Sequence, residues 1–287
     1  MRTVVSAAAA ILGLLLATVA VPAIWLDRTI VREDGFVALA GPLGKDPAFQ
    51  ERLAAAAVGT IDTSSVPGFL ADLVQPILED AAASLTGLPA YRQAWEETLR
   101  KSHRLSLATP AEAEAEGASA SSLTLDVSPL VMLGAGEISR STGLPLDPPK
   151  QTLLNAGGPE QKEWAERLAA YAPAGYLLAA GSAVAILLAL VAARRRWTLL
   201  AGAGLGTLLM AGCWAAADAI GRGRALGTDT GSDVANMFRD EFVAAASRDF
   251  QAWTLAAAVA GAAAVAAGLV GRARARRRER ATGSMEK

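Results

Sequence analysis

The chain has one cysteine, Cys213, and one histidine, His103, among 287 residues. That scarcity excludes a disulfide framework, a cysteine-rich zinc site and any centre that needs two imidazoles. Charged residues are sparse at 19% and aromatics sparser at 5%. No P-loop, dinucleotide fingerprint or twelve-residue Ca²⁺ loop occurs, so neither a cofactor nor a metal is expected. Apolar residues, by contrast, are abundant. They make up 52% of the chain and the mean hydropathy is +0.31, too apolar for an ordinary water-soluble fold.

Four stretches are long enough to cross a hydrocarbon core, which needs about 20 apolar residues in a helix. They are Thr3–Leu26, Tyr171–Ala193, Trp197–Ala217 and Phe250–Gly271. The fold class predicted is a mainly α membrane protein with four transmembrane helices, an α-rich exterior domain and a small β element. Residues 1–26 form an N-terminal anchor, 27–170 the exterior domain and 171–220 a hairpin of two spans. Residues 221–249 form a second exterior loop with an amphipathic helix, 250–271 the last span and 272–287 a basic tail.

The formal net charge of −1 conceals two opposed regions. Arg2, the Arg194-Arg195-Arg196 link and the tail carry 11 basic residues against two acidic ones, net +9. Residues 27–170 carry 12 basic and 20 acidic residues, net −8. Lys and Arg accumulate on the cytoplasmic side of short loops. Both termini are therefore expected in the cytoplasm of a plasma-membrane protein, with 27–170 and 221–249 outside. The first apolar run exceeds a typical signal-peptide h-region and extends through Trp25-Leu26, so an uncleaved anchor is favoured over a cleaved signal.

Small residues mark the expected packing faces of the spans. These are Gly175 and Gly181 in the second, Gly202-x-x-x-Gly206 and Cys213 in the third, and Ala257 and Gly261 in the fourth. The three-residue link predicts a close antiparallel pair of spans two and three. Asp218 reads as the one acid close to a span, paired at the outer surface with Arg222 four residues on. With no embedded charge, a transporter is disfavoured.

In the exterior domain, Asp46-Pro47 is an N-cap followed by proline and opens a helix to about Val58. The apolar spacing from Phe69 to Ala81, interrupted by Pro76, predicts a kinked helix. Further helices are expected from Pro89 to His103, from Ser128-Pro129 to Gly143, and from Pro159 into span two. Leu123–Val127 and Gln151–Asn155 read as strands, the first with Leu123, Leu125 and Val127 on one face. Residues 106–122 are low-complexity and polar, and read as a loop. Val234, Phe238 and Phe242 line one face of a helix over 232–250, whose balanced charge favours docking on the large domain over lying on lipid.

Candidate sites are few. Tyr91, Trp95, Leu99 and His103 follow one another at i, i+4 and share a helix face. His103 is the sole candidate for acid–base chemistry, but no G-x-S-x-G elbow accompanies it; a structural or interaction role for Tyr91, Trp95 and His103 is the stronger reading. Arg272, Arg274, Arg276, Arg277, Arg278 and Arg280, with Arg194, Arg195 and Arg196, fit an orientation signal and an anionic-lipid surface.

Three local motifs carry a resemblance: Pro47–Val58 after Asp46, Tyr91-Arg-Gln-Ala-Trp95 followed by His103, and Leu125-Asp-Val-Ser-Pro-Leu130. Together with the order of spans over roughly residues 1–220, they resemble a family of uncharacterised actinobacterial multi-pass membrane proteins with a large extracytoplasmic domain between the first two spans. That family typically shows an aromatic–x–x–Trp segment with a downstream Ala-His, and a Leu-Asp-Leu-Ser-Pro strand-to-helix step. Here Ser102 stands before His103, and a fourth span follows. The resemblance implies that Trp95, His103 and Ser128-Pro129 are structural features of the fold, and it carries no catalytic residue.

The functional expectation is a non-enzymatic membrane protein whose exterior domain binds an envelope component or a partner protein. The alternatives are a sensor acting through the arginine tail and an envelope hydrolase or transferase using His103. The bilayer is the one partner the composition demands; no nucleic-acid partner is expected.

Overall fold

The structure is a computed structural model that describes residues 2–59, 87–107, 123–143, 148–227 and 233–283. The helix expected over Phe69–Ala81 and most of the expected 106–122 loop lie outside the described residues. The protein is mainly α with a small two-stranded sheet. Four of its helices are long and apolar enough to cross a membrane. The chain divides into two compact units. One comprises Met1–Asp27, Tyr171–Gly223 and Ser247–Lys287, the other Arg28–Ala170 and Arg224–Ala246.

The first unit holds α1 (Arg2–Leu26), α7 (Ala174–Ala192), most of α8 (Arg196–Leu226) and the longer part of α9 (Asp233–Gly283). The outward side chains of these helices are large and apolar, with Leu177 78% and Val191 75% exposed. Such a surface suits lipid rather than water.

Among the described residues of this unit, no buried side-chain polar atom lacks a partner, as a hydrocarbon setting demands. Ser6 Oγ donates to the Ala189 carbonyl and Ser182 Oγ to the Gly13 carbonyl, both at 2.8 Å. Pro22 lies inside α1 and, lacking an N–H, leaves the carbonyl four residues back without its helical donor. That carbonyl belongs to Thr18, and the Trp214 indole N–H donates to it at 2.9 Å.

These contacts also set helix direction. Ser6–Ala189 and Gly13–Ser182 run in opposite senses, so α1 and α7 are antiparallel. Thr18–Trp214 and Leu14–Gly206 ascend together, so α1 and α8 are parallel. Gly204–Gly261 and Asp218–Ser247 make α8 and α9 antiparallel.

The sequence-level packing expectations need correction here. Gly175 and Gly181 of α7 face Ala23 and Leu16 of α1, not span three. Gly202 meets nothing within 4 Å, and Gly206 faces Leu14. The close approach is made instead by Gly204, where a Cβ would stand 2.6 Å from the Gly261 carbonyl oxygen, leaving room for no side chain.

In the second unit, a π-helical turn (Asp27–Val31) carries the chain out of α1 and leads to α2 (Glu33–Ala40). A 3₁₀ turn (Gly41–Lys45) then leads to α3 (Pro47–Gly59). Asp46 caps α3 as expected, its Oδ1 accepting the Phe49 N–H at 2.9 Å. α4 (Tyr91–Leu107) starts two residues after Pro89 and runs past His103.

β1 (Leu123–Asp126) and β2 (Leu153–Gly157) pair antiparallel, with Leu125 opposite Leu154 and a bulge at Leu123/Thr124. β2 is displaced by two residues from the expected strand, and Thr124 and Asp126 are buried along with Leu125, so β1 does not have the one wet face that alternation implies. α5 (Ser128–Thr142) ends on Gly143 at φ 73°, the left-handed stop that favours glycine. α6 (Pro159–Tyr171) stops at Tyr171; a turn through Ala172-Pro173 separates it from α7, so it does not run unbroken into span two. The amphipathic segment and the last span are one continuous helix, α9.

The core of this unit is built around Trp95, 1% exposed. Phe49 meets its ring edge-on at 5.2 Å and Phe238 at 6.2 Å. A Cβ on Gly44 would fall inside the Trp95 ring's van der Waals shell, so glycine lets the 3₁₀ turn lie flat against the indole. The turn is pinned further by the Trp95 N–H donating to the Ala40 carbonyl and by Gln50 Nε2 donating to the Gly44 carbonyl. Phe238 and its neighbours Val234, Met237 and Phe242 join this core, so the amphipathic stretch docks as its charge balance suggests.

Candidate functional site

α4 presents Tyr91, Trp95, Leu99 and His103 on one buried face, as their spacing predicts. Tyr91, at its first turn, has a hydroxyl with no partner among the described residues, and burial pushes its pKa up to about 12. His103 is 8% exposed. Its Nε2 lies 3.1 Å from the Ile30 carbonyl oxygen, a contact that needs the ring proton on Nε2. Phe36 packs on the ring at 5.2 Å.

His103 forms part of the wall of a cavity of about 300 Å³, the lower end of the range for small-molecule sites. Phe36, Leu125, Phe238, Phe242 and Val243 are among the apolar residues that line it. Tyr91 and Trp95 lie outside it, in the core behind.

Three polar side chains on the wall are engaged, whereas the buried Thr124 hydroxyl has no partner among the described residues. Ser102 Oγ donates to the Thr98 carbonyl at 2.6 Å and accepts the Asp126 N–H at 2.9 Å. Ser106 Oγ donates to the Thr124 carbonyl and accepts its N–H. The Arg239 guanidinium is held by Asp240 and Asn236. The lining is predominantly apolar, a setting suited to an uncharged molecule. Among the described residues there is no cluster of three metal-ligating side chains.

Comparison with known proteins finds no match: no family model, no curated protein and no solved structure corresponds to the chain.

The arginines singled out from the sequence separate into two groups. Arg194, Arg195 and Arg196 come together with Arg272 and Arg276 around a second cavity, of about 420 Å³. Arg274 and Arg277 are exposed but do not line it; the side chains of Arg278 and Arg280 lie outside the described residues.

At the opposite end of the helical unit, sequence reading missed two acids and misassigned a third. Asp27, only 6% exposed, accepts the Tyr176 O–H at 3.0 Å. Asp249 accepts the Trp25 indole N–H at 2.7 Å. Asp218 accepts from Ser247 Oγ at 2.7 Å and from Gln251 Nε2 at 3.3 Å, rather than pairing with Arg222. Asp218 is thus one of three acids at the span ends. A tyrosine or tryptophan directed back toward the end of a span is the available signal for such partners.

Proposed function

We propose that the chain is a multi-pass plasma-membrane protein that binds an uncharged, apolar envelope component in the His103 cavity, without chemistry of its own. The observation carrying this reading is the cavity's lining: a predominantly apolar surface on which Ser102, Ser106 and Arg239 are internally satisfied and only the small Thr124 hydroxyl is known to be left over. A hydrolytic or transfer role for His103 finds little support, because Nε2 faces a carbonyl and both neighbouring serine hydroxyls are tied to backbone. The orientation follows from the positive-inside rule, with the arginine end cytoplasmic and residues 27–170 and 221–249 outside. The likeness to the actinobacterial membrane family belongs to the same proposal.

A sensor role has one observation in its favour: α9 carries cavity-wall residues Phe238 and Phe242 and the tail residues Arg272 and Arg276 on a single helix.

The test is photolabelling of the full chain in nanodiscs with an uncharged aliphatic alcohol bearing a diazirine. The reading expects adducts on peptides 102–107 and 238–243, suppressed when Ala156→Trp or Ala225→Trp fills the cavity, while labelling of the spans is unchanged. Adducts confined to the spans, or insensitive to both fillings, would refute it.

A further inference from the structure

The arginine end of the helical unit carries more than an orientation signal. Five arginines, Arg194, Arg195, Arg196, Arg272 and Arg276, line one cavity together with Trp197. No carboxylate stands among the lining residues, and none of the five has an ion-pair partner among the described residues. Five like charges around one space repel each other unless an anion enters. The two Arg-bearing segments are held together by packing, since Trp197 lies directly over Gly271 where a side chain has no room. Arg272 and Arg276, four residues apart, project from the same face of α9.

A second space adjoins the first. An apolar crevice of about 470 Å³ runs between α1 and α8 along Ala7, Ile11, Leu14, Leu199 and Gly202. Arg194, Arg195 and Thr198 line both spaces. Gly202, which the sequence marks as a packing glycine, meets no neighbouring helix; it opens onto this crevice. A charged cradle continuous with a lipid-accessible apolar slot has the shape of an amphiphile's head and tail.

We infer that this end of the bundle is a binding site for one anionic phospholipid, its phosphate held by the arginine cradle and one acyl chain lying in the α1–α8 crevice. Guanidinium groups pair with phosphate oxygens through two parallel hydrogen bonds, and basic pockets between membrane helices suit such headgroups.

The test is native mass spectrometry of the full chain in a neutral maltoside detergent, titrated with phosphatidylglycerol, phosphatidylcholine or glycerol phosphate. Two charge-matched pairs separate a site from diffuse attraction. Arg272→Gln with Arg276→Gln should weaken phosphatidylglycerol binding about tenfold or more, whereas Arg274→Gln with Arg277→Gln should change it less than about threefold. Gly202→Leu, which has space for its side chain in the fold, should also weaken the lipid by filling the crevice. Glycerol phosphate, which has the headgroup without chains, should not compete at matched concentration. Equal losses from the two arginine pairs would overturn the site in favour of an orientation signal alone. So would equal retention of phosphatidylcholine, effective competition by glycerol phosphate, or indifference to Gly202→Leu.

Discussion

Replacing Asp126 probes the joint that holds the second unit together. Its carboxylate is buried, and Oδ1 accepts the Ser128 N–H at 2.9 Å and the Thr152 N–H at 3.3 Å. One residue thus satisfies the first free N–H of α5 and fastens the segment leading into β2, while Pro129 next to it has no N–H to satisfy. Alanine removes the acceptor and leaves two buried donors unpaired. At about 1–3 kcal/mol for each orphaned group, weighted toward the shorter bond, Asp126→Ala should cost roughly 2–5 kcal/mol. Asparagine keeps an oxygen in place, so Asp126→Asn should cost about 1 kcal/mol. The assay pairs thermal unfolding in detergent with amide hydrogen exchange on peptides 128–133 and 152–157. The exchange should accelerate in both peptides at once, because a single side chain serves both. Asp126→Ala within about 0.5 kcal/mol of the parent protein, or asparagine as damaging as alanine, would refute the reasoning.

Other perturbations follow from the same packing. Gly44→Ala should destabilise by about 1–3 kcal/mol through collision with the indole, and adding Trp95→Phe should recover part of that loss in a double-mutant cycle. Gly204→Leu or Gly261→Leu should break the α8–α9 contact and lower the melting temperature in detergent, whereas Gly202→Leu should leave it nearly unchanged. Tyr91 has a folded pKa raised from 10.0 to about 12. Above pH 10 the unfolded chain loses this proton first, so the contribution of Tyr91 is complete below pH 10 and lost as pH rises toward 12. The stability difference between the parent and Tyr91→Phe should therefore be flat below pH 10 and shift in favour of the phenylalanine variant between pH 10 and 12.

What could be read from the residues was whatever is encoded locally. Uninterrupted apolar runs marked the four long helices because length and hydropathy alone decide whether a helix suits a bilayer. Asp46-Pro47 marked the start of α3, and the spacing of Tyr91, Trp95, Leu99 and His103 marked a buried face, because capping and helical period are properties of adjacent residues. Partner choice was not legible. Gly202 and Gly204 differ by about 200° around the helix, and only the neighbouring helix decides which of them meets another backbone. Ser128-Pro129 marked the start of α5, which begins at Ser128, but not which side chain caps it. In the fold Asp126 holds the N–H, and Ser128 Oγ has no partner among the described residues. Nothing local marked Asp27 or Asp249, because their donors, Tyr176 and Trp25, are more than a hundred positions away. The His103 cavity joins segments from residue 30 to residue 243, a separation that no local pattern spans.

The most direct test of the proposed membrane arrangement is cysteine labelling in intact cells, in a Cys213→Ala background, with a membrane-impermeant maleimide. Single cysteines at Lys150, Gly223 and Ala273 sample the three informative positions. The account predicts that Lys150→Cys and Gly223→Cys are labelled from outside, and that Ala273→Cys reacts only after the membrane is permeabilised. Labelling of Ala273→Cys in sealed cells, with Lys150→Cys protected, would contradict it.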